Sequence, residues 1–256
     1  MDELEAATVI AGEERAATVA EAAKKPKARS APKWETEARD RLKTAIRRYS
    51  KPLADLVARD ANEGDTRLLV TDFLCDGLGF DKYADLTTEY QVKGEFADYG
   101  LRIDRELVAF IEVKRVATKL SARHLRQVEM YAVNEGVEWI ILTNGATWQV
   151  YRITGGLPVV IDLALEVDLL GDEPPAHKVN QLFYLSRESL KKRQIDELWK
   201  ARRATSPASL AQVLVSDPVA EAIRKELWRQ TGHRVDPAEI VRLVSDTLLR
   251  PSGLQG

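Results

Sequence analysis

An apolar run, residues 107–111 (LVAFI), is followed by two charged residues, Glu112 and Lys114, that lie two positions apart. The length and composition of residues 107–114 are typical of a buried strand. Because side chains alternate along a strand, Glu112 and Lys114 are expected on one face and Ile111 and Val113 on the other. Two opposite charges on one face indicate either an ion pair at a solvated sheet edge or a reaction centre.

The segments around this strand predict a mixed sheet flanked by helices, which is an α/β fold. Strands are predicted at 86–92, 96–103, 107–114, 138–143 and 147–153, with a further short strand at 158–163. Helices are predicted at 35–61, 63–77 and 122–135. The dipeptide Asn144-Gly145 between two strand-like runs indicates a hairpin, and the short polar link at 104–106 indicates another.

Composition divides the chain into three parts. Residues 1–33 are rich in alanine and end in a basic stretch, so we expect a flexible tail that cannot bury enough apolar surface to offset its ordering entropy. Residues 34–168 hold the sheet pattern. Residues 177–250 predict an all-α appendage, with helices at 178–203, 207–215, 218–231 and 237–249.

The charge, the cysteine content and the apolar runs of the chain indicate its cellular environment but not its activity. A net charge of −2 neither indicates nor excludes nucleic acid, since binding depends on a local basic patch. The single cysteine, Cys75, excludes an intrachain disulfide. No apolar run approaches the roughly 20 residues of a membrane helix, and no signal segment is evident. We therefore expect a cytoplasmic protein without a membrane partner.

Asp98 lies 14 residues before Glu112, across a predicted hairpin, so the two carboxylates are expected to converge beside Lys114. Two carboxylates and water are the ligands that Mg²⁺ prefers. Such a cation can polarise a phosphodiester, while a lysine acts as a base or stabilises developing charge. Asp104 is a competing acid, but its place in the predicted turn favours a structural role.

The order Asp, then Glu-x-Lys, is the minimal signature of the PD-(D/E)xK nucleases. The surrounding sequence resembles the N-terminal nuclease domain of type I restriction enzyme R subunits and their stand-alone relatives. The resemblance covers about residues 60–155 and includes NEGDTRLLVTDFLCDGLGFD (62–81) and LRQVEMYAVNEGVEWIILTNGATWQVYRI (125–153). It implies a restriction-endonuclease-like fold and a DNA endonuclease that acts in defence against foreign DNA.

The resemblance also implies roles for individual residues. It assigns the metal, Mg²⁺ or Mn²⁺, to Asp98 and Glu112, with Glu63 on the early helix as a further ligand. Lys114 is the implied catalytic lysine. The remaining matches, which would support the active site and contact DNA, are Gln127 and Tyr131. The chain has no Walker A motif or helicase segment, so any ATP-driven translocation would need a separate motor or defence partner.

Several of these residues have a structural alternative. Glu112 and Lys114 could form a simple ion pair on an edge strand. Asp98 could accept backbone N–H groups at a strand end, and Glu63 could be a first-turn acid that complements the helix dipole.

The predicted appendage carries a second set of candidates. Three cations, Lys192, Lys200 and Arg203, fall on the predicted helix at 178–203, where they either contact DNA phosphates or form its solvated face. Trp199 and Trp228 are expected in a helix–helix core that could also support a homo-oligomer. The alternative to an enzyme is a non-catalytic nucleic-acid-binding or oligomeric scaffold with this fold, and RNA or structured DNA are alternative substrates.

Overall fold

The computed structural model describes residues 31–92, 95–154 and 159–248. The described residues from 37 onward belong to one compact unit. The predicted flexible tail, residues 1–33, falls outside the described residues except at its last three positions. None of the described helices combines the length and the apolar character that crossing a bilayer requires.

The described chain is a mixed α/β structure. Its strands are β1 (Leu86–Val92), β2 (Glu95–Ile103), β3 (Glu106–Val113), β4 (Trp139–Thr143), β5 (Thr147–Thr154) and β6 (Val160–Asp168). Its helices are α1 (Lys33–Ala58), α2 (Glu63–Asp76), α3 (Arg126–Glu135), α4 (Pro175–Phe183), α5 (Arg187–Lys191), α6 (Gln194–Ala204), α7 (Pro207–Leu214), α8 (Asp217–Thr231) and α9 (Pro237–Leu243). A 3-10 turn (Ala122–Leu125) precedes α3, and a π-helical turn (Val244–Leu248) follows α9.

The six strands form one mixed sheet whose spatial order follows the chain order, β1 to β6. Neighbouring strands are antiparallel except β3 and β4, which run parallel. A parallel pair needs a crossover connection, and α3 supplies it. Because β3 lies between β2 and β4, the expected position on an edge strand is wrong, although Glu112 and Lys114 do form an ion pair.

Helices cover the sheet on both faces. On one face, α3 packs over a core that includes Phe110 and Tyr151. On the other face, the α2 ring of Phe73 lies 5.4 Å from the ring of Trp148. Side-chain alternation gives Glu112 the same face as Phe110, and Glu112 is only 7% exposed. Glu112 therefore belongs to a buried strand, and Lys114 follows directly after that strand with 24% of its side chain exposed.

Local sequence signals position the hairpin that carries the proposed acids. Ile103 pairs with Glu106, and the two residues between them, Asp104 and Arg105, both have positive φ (52° and 73°). Positive φ at both central residues is the geometry of a two-residue I′ hairpin turn, which matches the twist of the strands. The predicted hairpin is confirmed. Asn62 caps α2, since its side chain accepts the backbone N–H of Asp65.

The prediction of one helix at 178–203 is wrong, because three helices occupy this segment. After α4, the Ser186 hydroxyl donates to the carbonyl of Phe183 (2.7 Å) and accepts the N–H of Ser189 (3.4 Å), which caps a new helix. After α5, Arg193 adopts a left-handed conformation (φ 54°) that a continuous helix excludes. Lys192 lies in this second break.

Charged side chains of α4 and α5 hold these two helices against the sheet region. The buried ammonium of Lys178 donates to two backbone carbonyls, Leu169 (2.8 Å) and Gly171 (2.6 Å). Arg187 lies 2.6 Å from the buried carboxylate of Asp85. By contrast, the expectation that Trp228 belongs to a helix core is wrong, because its side chain is 52% exposed on α8.

Candidate active site

The β2–β3 hairpin brings Asp98 beside the end of β3, as the sequence predicts. Tyr99 pairs with Ile111, which places Asp98 and Glu112 at the next position along the two strands. The Asp98 carboxylate accepts the backbone N–H of Val113 (2.7 Å). Its side chain is 11% exposed, so this acid is held in a fixed and mostly buried position.

Glu112 and Lys114 form a close ion pair. The Lys114 ammonium lies 2.5 Å from Glu112 Oε1, with side-chain exposures of 24% and 9%. Burial raises the pKa of Glu112, the neighbouring charge of Asp98 raises it further, and Lys114 opposes both effects. Burial lowers the pKa of Lys114, but the hydrogen bond to Glu112 and the charges of Glu112, Glu63 and Asp98 outweigh it, so the net shift is upward. The lysine is thus held as an ammonium ion among three carboxylates.

Arg67 is a member of this cluster that sequence reasoning missed. Its Nη2 forms an ion pair with Asp98 Oδ1 and lies 3.6 Å from Glu63 Oε1. Its Nε is buried and has no hydrogen-bond partner among the described residues. The four-residue spacing of Glu63 and Arg67 on α2 could have indicated their pairing, but nothing local indicates that Arg67 reaches β2.

Glu63 lies at the rim of the same cluster. It is the first residue of α2, and its side chain is 43% exposed. Its charge reaches both Arg67 and Lys114. The first-turn position also fits a helix-dipole role, so both interpretations of Glu63 agree with its place in the structure.

The competing acid Asp104 is separated from this cluster by its own contacts. It lies in the hairpin turn, and its carboxylate pairs with Lys191 (2.8 Å). Arg187 approaches the same carboxylate at 3.9 Å. The preference for a structural role of Asp104 agrees with these partners, which belong to α5.

The two helical matches, Gln127 and Tyr131, lie in the first and second turns of α3. This helix packs its buried residues Val128 and Ala132 against the Phe110 face of the sheet. The side chains of Gln127 and Tyr131 fall outside the described ones, so their predicted roles stay predictions.

The predicted phosphate contacts of the C-terminal region do not share one helix. Lys192 lies between α5 and α6, whereas Lys200 and Arg203 lie on α6. Lys200 pairs with Glu197 (2.7 Å) on the same exposed helix surface. DNA binding by these three residues stays a prediction.

No family model, curated protein or solved structure matches this chain.

The donor set around Asp98 is suited to a hard cation with few protein ligands. Asp98 and Glu112 supply carboxylate oxygens from adjacent strands, and, beyond the effect of burial, the nearby charge of Asp98 raises the pKa of Glu112. In the described part of the chain, no group of three or more His, Cys, Asp or Glu side chains is arranged to hold a metal. Two carboxylates completed by water suit Mg²⁺, which usually keeps several of its waters. In the present arrangement Arg67 and Lys114 neutralise these carboxylates instead.

Proposed function

We propose that this protein is a Mg²⁺-dependent DNA endonuclease with a restriction-endonuclease-like fold. The observation that carries the proposal is a pair of mostly buried carboxylates on adjacent strands, with an ammonium held beside them. Burying such charges is costly, and their convergence at the end of one strand favours a chemical role. The order of Asp98, Glu112 and Lys114 in the chain supports the PD-(D/E)xK assignment, and defence against foreign DNA is the corresponding biological role.

The proposed chemistry divides the work among these residues. Asp98 and Glu112 would hold the metal, with Glu63 at the rim as a further candidate. When bound, Mg²⁺ would supply Lewis acidity toward the phosphodiester and its attacking water. Lys114 would stabilise negative charge that develops on the scissile phosphate, since its ammonium is already oriented by Glu112. Mn²⁺ could replace Mg²⁺ in this site.

The experiment that tests the proposal compares Asp98→Asn with Asp104→Asn in a plasmid-nicking assay with Mg²⁺ or Mn²⁺. Both changes remove one carboxylate from the same hairpin, but Asp104 is exposed in the turn. Asp98→Asn is expected to reduce nicking by about a hundredfold or more, because a proposed metal ligand is lost and with it the stabilisation that the metal gives to the reacting phosphate. The control, Asp104→Asn, should retain nicking activity. Chelation of the metal with EDTA should abolish the nicking activity of the wild type and of the control.

An inert wild-type protein on double-stranded and single-stranded DNA would overturn the proposal. Equal activity of wild type and Asp98→Asn would also do so. Cleavage of RNA but not of DNA would replace the proposed substrate while keeping the chemistry.

A second candidate is a non-catalytic scaffold, favoured by one observation. Each carboxylate already has a cationic partner, Arg67 for Asp98 and Lys114 for Glu112, so the cluster also satisfies itself as a structural network. Self-association of an inert wild type, through the C-terminal helices, would support this candidate. A separate motor or defence protein is a possible partner in either case.

Arg67 is expected to compete with the metal for Asp98. Replacing it by methionine frees the carboxylate, and an ion pair of this exposure is worth about 1 kcal/mol, so Mn²⁺ should bind about fivefold more tightly. Isothermal titration calorimetry without DNA measures this affinity. Arg59→Met is the matched control, because Arg59 pairs with Asp65 (3.0 Å) near the same helix start. Equal affinity in wild type and Arg67→Met would show that the arginine does not compete.

A further inference from the structure

The chain leaves the proposed site through a strongly basic segment, residues 114–126 (KRVATKLSARHLR). This basic segment contains no aspartate or glutamate. Its Lys and Arg residues are Lys114, Arg115, Lys119, Arg123 and Arg126. The overall charge of the chain is −2, so this local excess of positive charge stands out from the mixed surface elsewhere.

Buried anchors fix the backbone of the basic segment. Val116 is 3% exposed, and its N–H donates to the hydroxyl of Thr66 on α2 (3.1 Å). The Asn144 amide donates to the carbonyl of Thr118 (2.9 Å). At the far end Leu125 is buried in the α3 core. The segment is therefore a preorganised surface, and a ligand would not have to order it.

Four of the five cations of the basic segment point outward. Arg115, Lys119, Arg123 and Arg126 are all exposed. Arg115 pairs with the exposed acid Asp60 (3.0 Å). Within the described residues, no carboxylate forms an ion pair with any of the other three. Three unneutralised cations on a fixed surface are complementary to a polyanion.

The basic segment also contains a histidine, His124, whose pKa is lowered by burial and by the cations around it. Nδ1 of His124 accepts the backbone N–H of Ser121 (3.2 Å), so the ring has a structural role in the turn. Burial lowers its pKa, and the charges of Arg123 and Lys114 lower it further. Two cations of the basic segment, Lys114 and Arg123, thus both lower the pKa of the same imidazole.

We propose that the basic segment binds the phosphate backbone of duplex DNA and leads it to the Asp98–Glu112–Lys114 site. This proposal rests on the proposed function, in which the adjoining Asp98–Glu112–Lys114 site hydrolyses a phosphodiester. The segment contains no Phe, Tyr or Trp, the side chains on which single-stranded bases stack. Contacts from Lys and Arg to phosphates position a duplex without reading its sequence. The segment would therefore confer affinity but no sequence specificity.

The test removes the three unneutralised cations and measures DNA binding without cleavage. The variant is Lys119→Ala/Arg123→Ala/Arg126→Ala in the full chain, titrated against a fluorescent 30-base-pair duplex in EDTA. The matched control is Lys225→Ala/Arg234→Ala/Arg242→Ala. It also loses one lysine and two arginines, all of them exposed in the C-terminal helical region. A conservative variant, Lys119→Arg/Arg123→Lys/Arg126→Lys, retains the charge and detects damage caused by substitution itself.

The expected result follows from counterion release. Each phosphate contact contributes about 0.9 to the slope of log affinity against log salt, so the slope should fall by about 2.7 in the alanine variant. We expect its binding to be about a hundredfold weaker at 50 mM salt. The ratio of the wild-type affinity to that of the alanine variant should be about fortyfold smaller at 200 mM salt than at 50 mM salt. The control and the conservative variant should keep the wild-type slope.

Equal binding by wild type and the alanine variant would overturn the inference, whether or not the protein cleaves DNA. Stronger binding to a single strand, to an RNA duplex or to anionic phospholipid vesicles would also overturn it. An inert wild type whose DNA binding still depends on the segment would overturn the proposed nuclease activity and leave this inference standing. The two proposals can therefore fail separately.

Discussion

Lys114→Ala should abolish Mg²⁺-dependent nicking and also lower the free energy of unfolding by about 2 kcal/mol. The catalytic loss follows if the ammonium stabilises charge on the scissile phosphate. The loss of stability follows because Glu112, with a side chain only 9% exposed, would lose its cationic partner. Breaking a fully buried pair costs about 3–5 kcal/mol, and the partial exposure of Lys114 reduces this figure. Urea unfolding and the nicking assay measure the two effects.

A double variant tests whether the loss of stability comes from leaving Glu112 without its cationic partner. Glu112→Gln/Lys114→Met removes both charges while keeping the side-chain volumes similar, so stability should return to within about 1 kcal/mol of wild type. Nicking should remain absent. Recovery of nicking together with stability would mean that neither Glu112 nor Lys114 takes part in the reaction, which would contradict the proposed mechanism.

Trp148→Ala should be the most destabilising single truncation, with a loss of about 4 kcal/mol in the free energy of unfolding. Trp148 is fully buried, its ring packs on Phe73, and its Nε1 donates to the carbonyl of Gly145 (3.0 Å). Replacing a buried aromatic residue by alanine typically costs about 3–5 kcal/mol. Since domains are stable by only about 5–15 kcal/mol, a large share of the fold's stability would be lost.

Trp228→Ala is the matched control for this truncation. It removes the same side chain from α8, where 52% of the residue is exposed, so the loss should stay below about 1 kcal/mol. A cost for Trp228 equal to that of Trp148 would mean that the α8 surface is covered in solution.

The sheet could be predicted from sequence because its signals are local. The two-residue link at Asp104 and the Asn144-Gly145 turn each join strands that pair directly with one another. Asp98 and Glu112 meet through the first of these hairpins, so their proximity could be predicted. Apolar runs also distinguish strands from helices by length in this part of the chain.

The features that could not be predicted depend on distant contacts. Arg67 reaches Asp98 from another element, across 31 positions in the sequence. The breaks around α5 coincide with ionic contacts that a helical pattern does not encode, such as the pair between Arg187 and Asp85. The exposure of Trp228 likewise depends on what packs against α8, because an apolar residue on a helix face indicates a core only if another element covers it.

The sheet consists of two halves that meet at one pair of strands. β1–β3 and β4–β6 are two antiparallel meanders, and their only junction in the sheet is the parallel β3–β4 pair. The basic segment connects β3 to β4, and its contacts include residues on both sides of that junction, such as Thr66 before it and Asn144 after it. Antiparallel neighbours pair locally, whereas the junction has to close a longer loop. The proposed DNA-binding surface is therefore complete only when the two meanders have docked, so a half-folded molecule would lack the surface proposed to bring DNA to the acids.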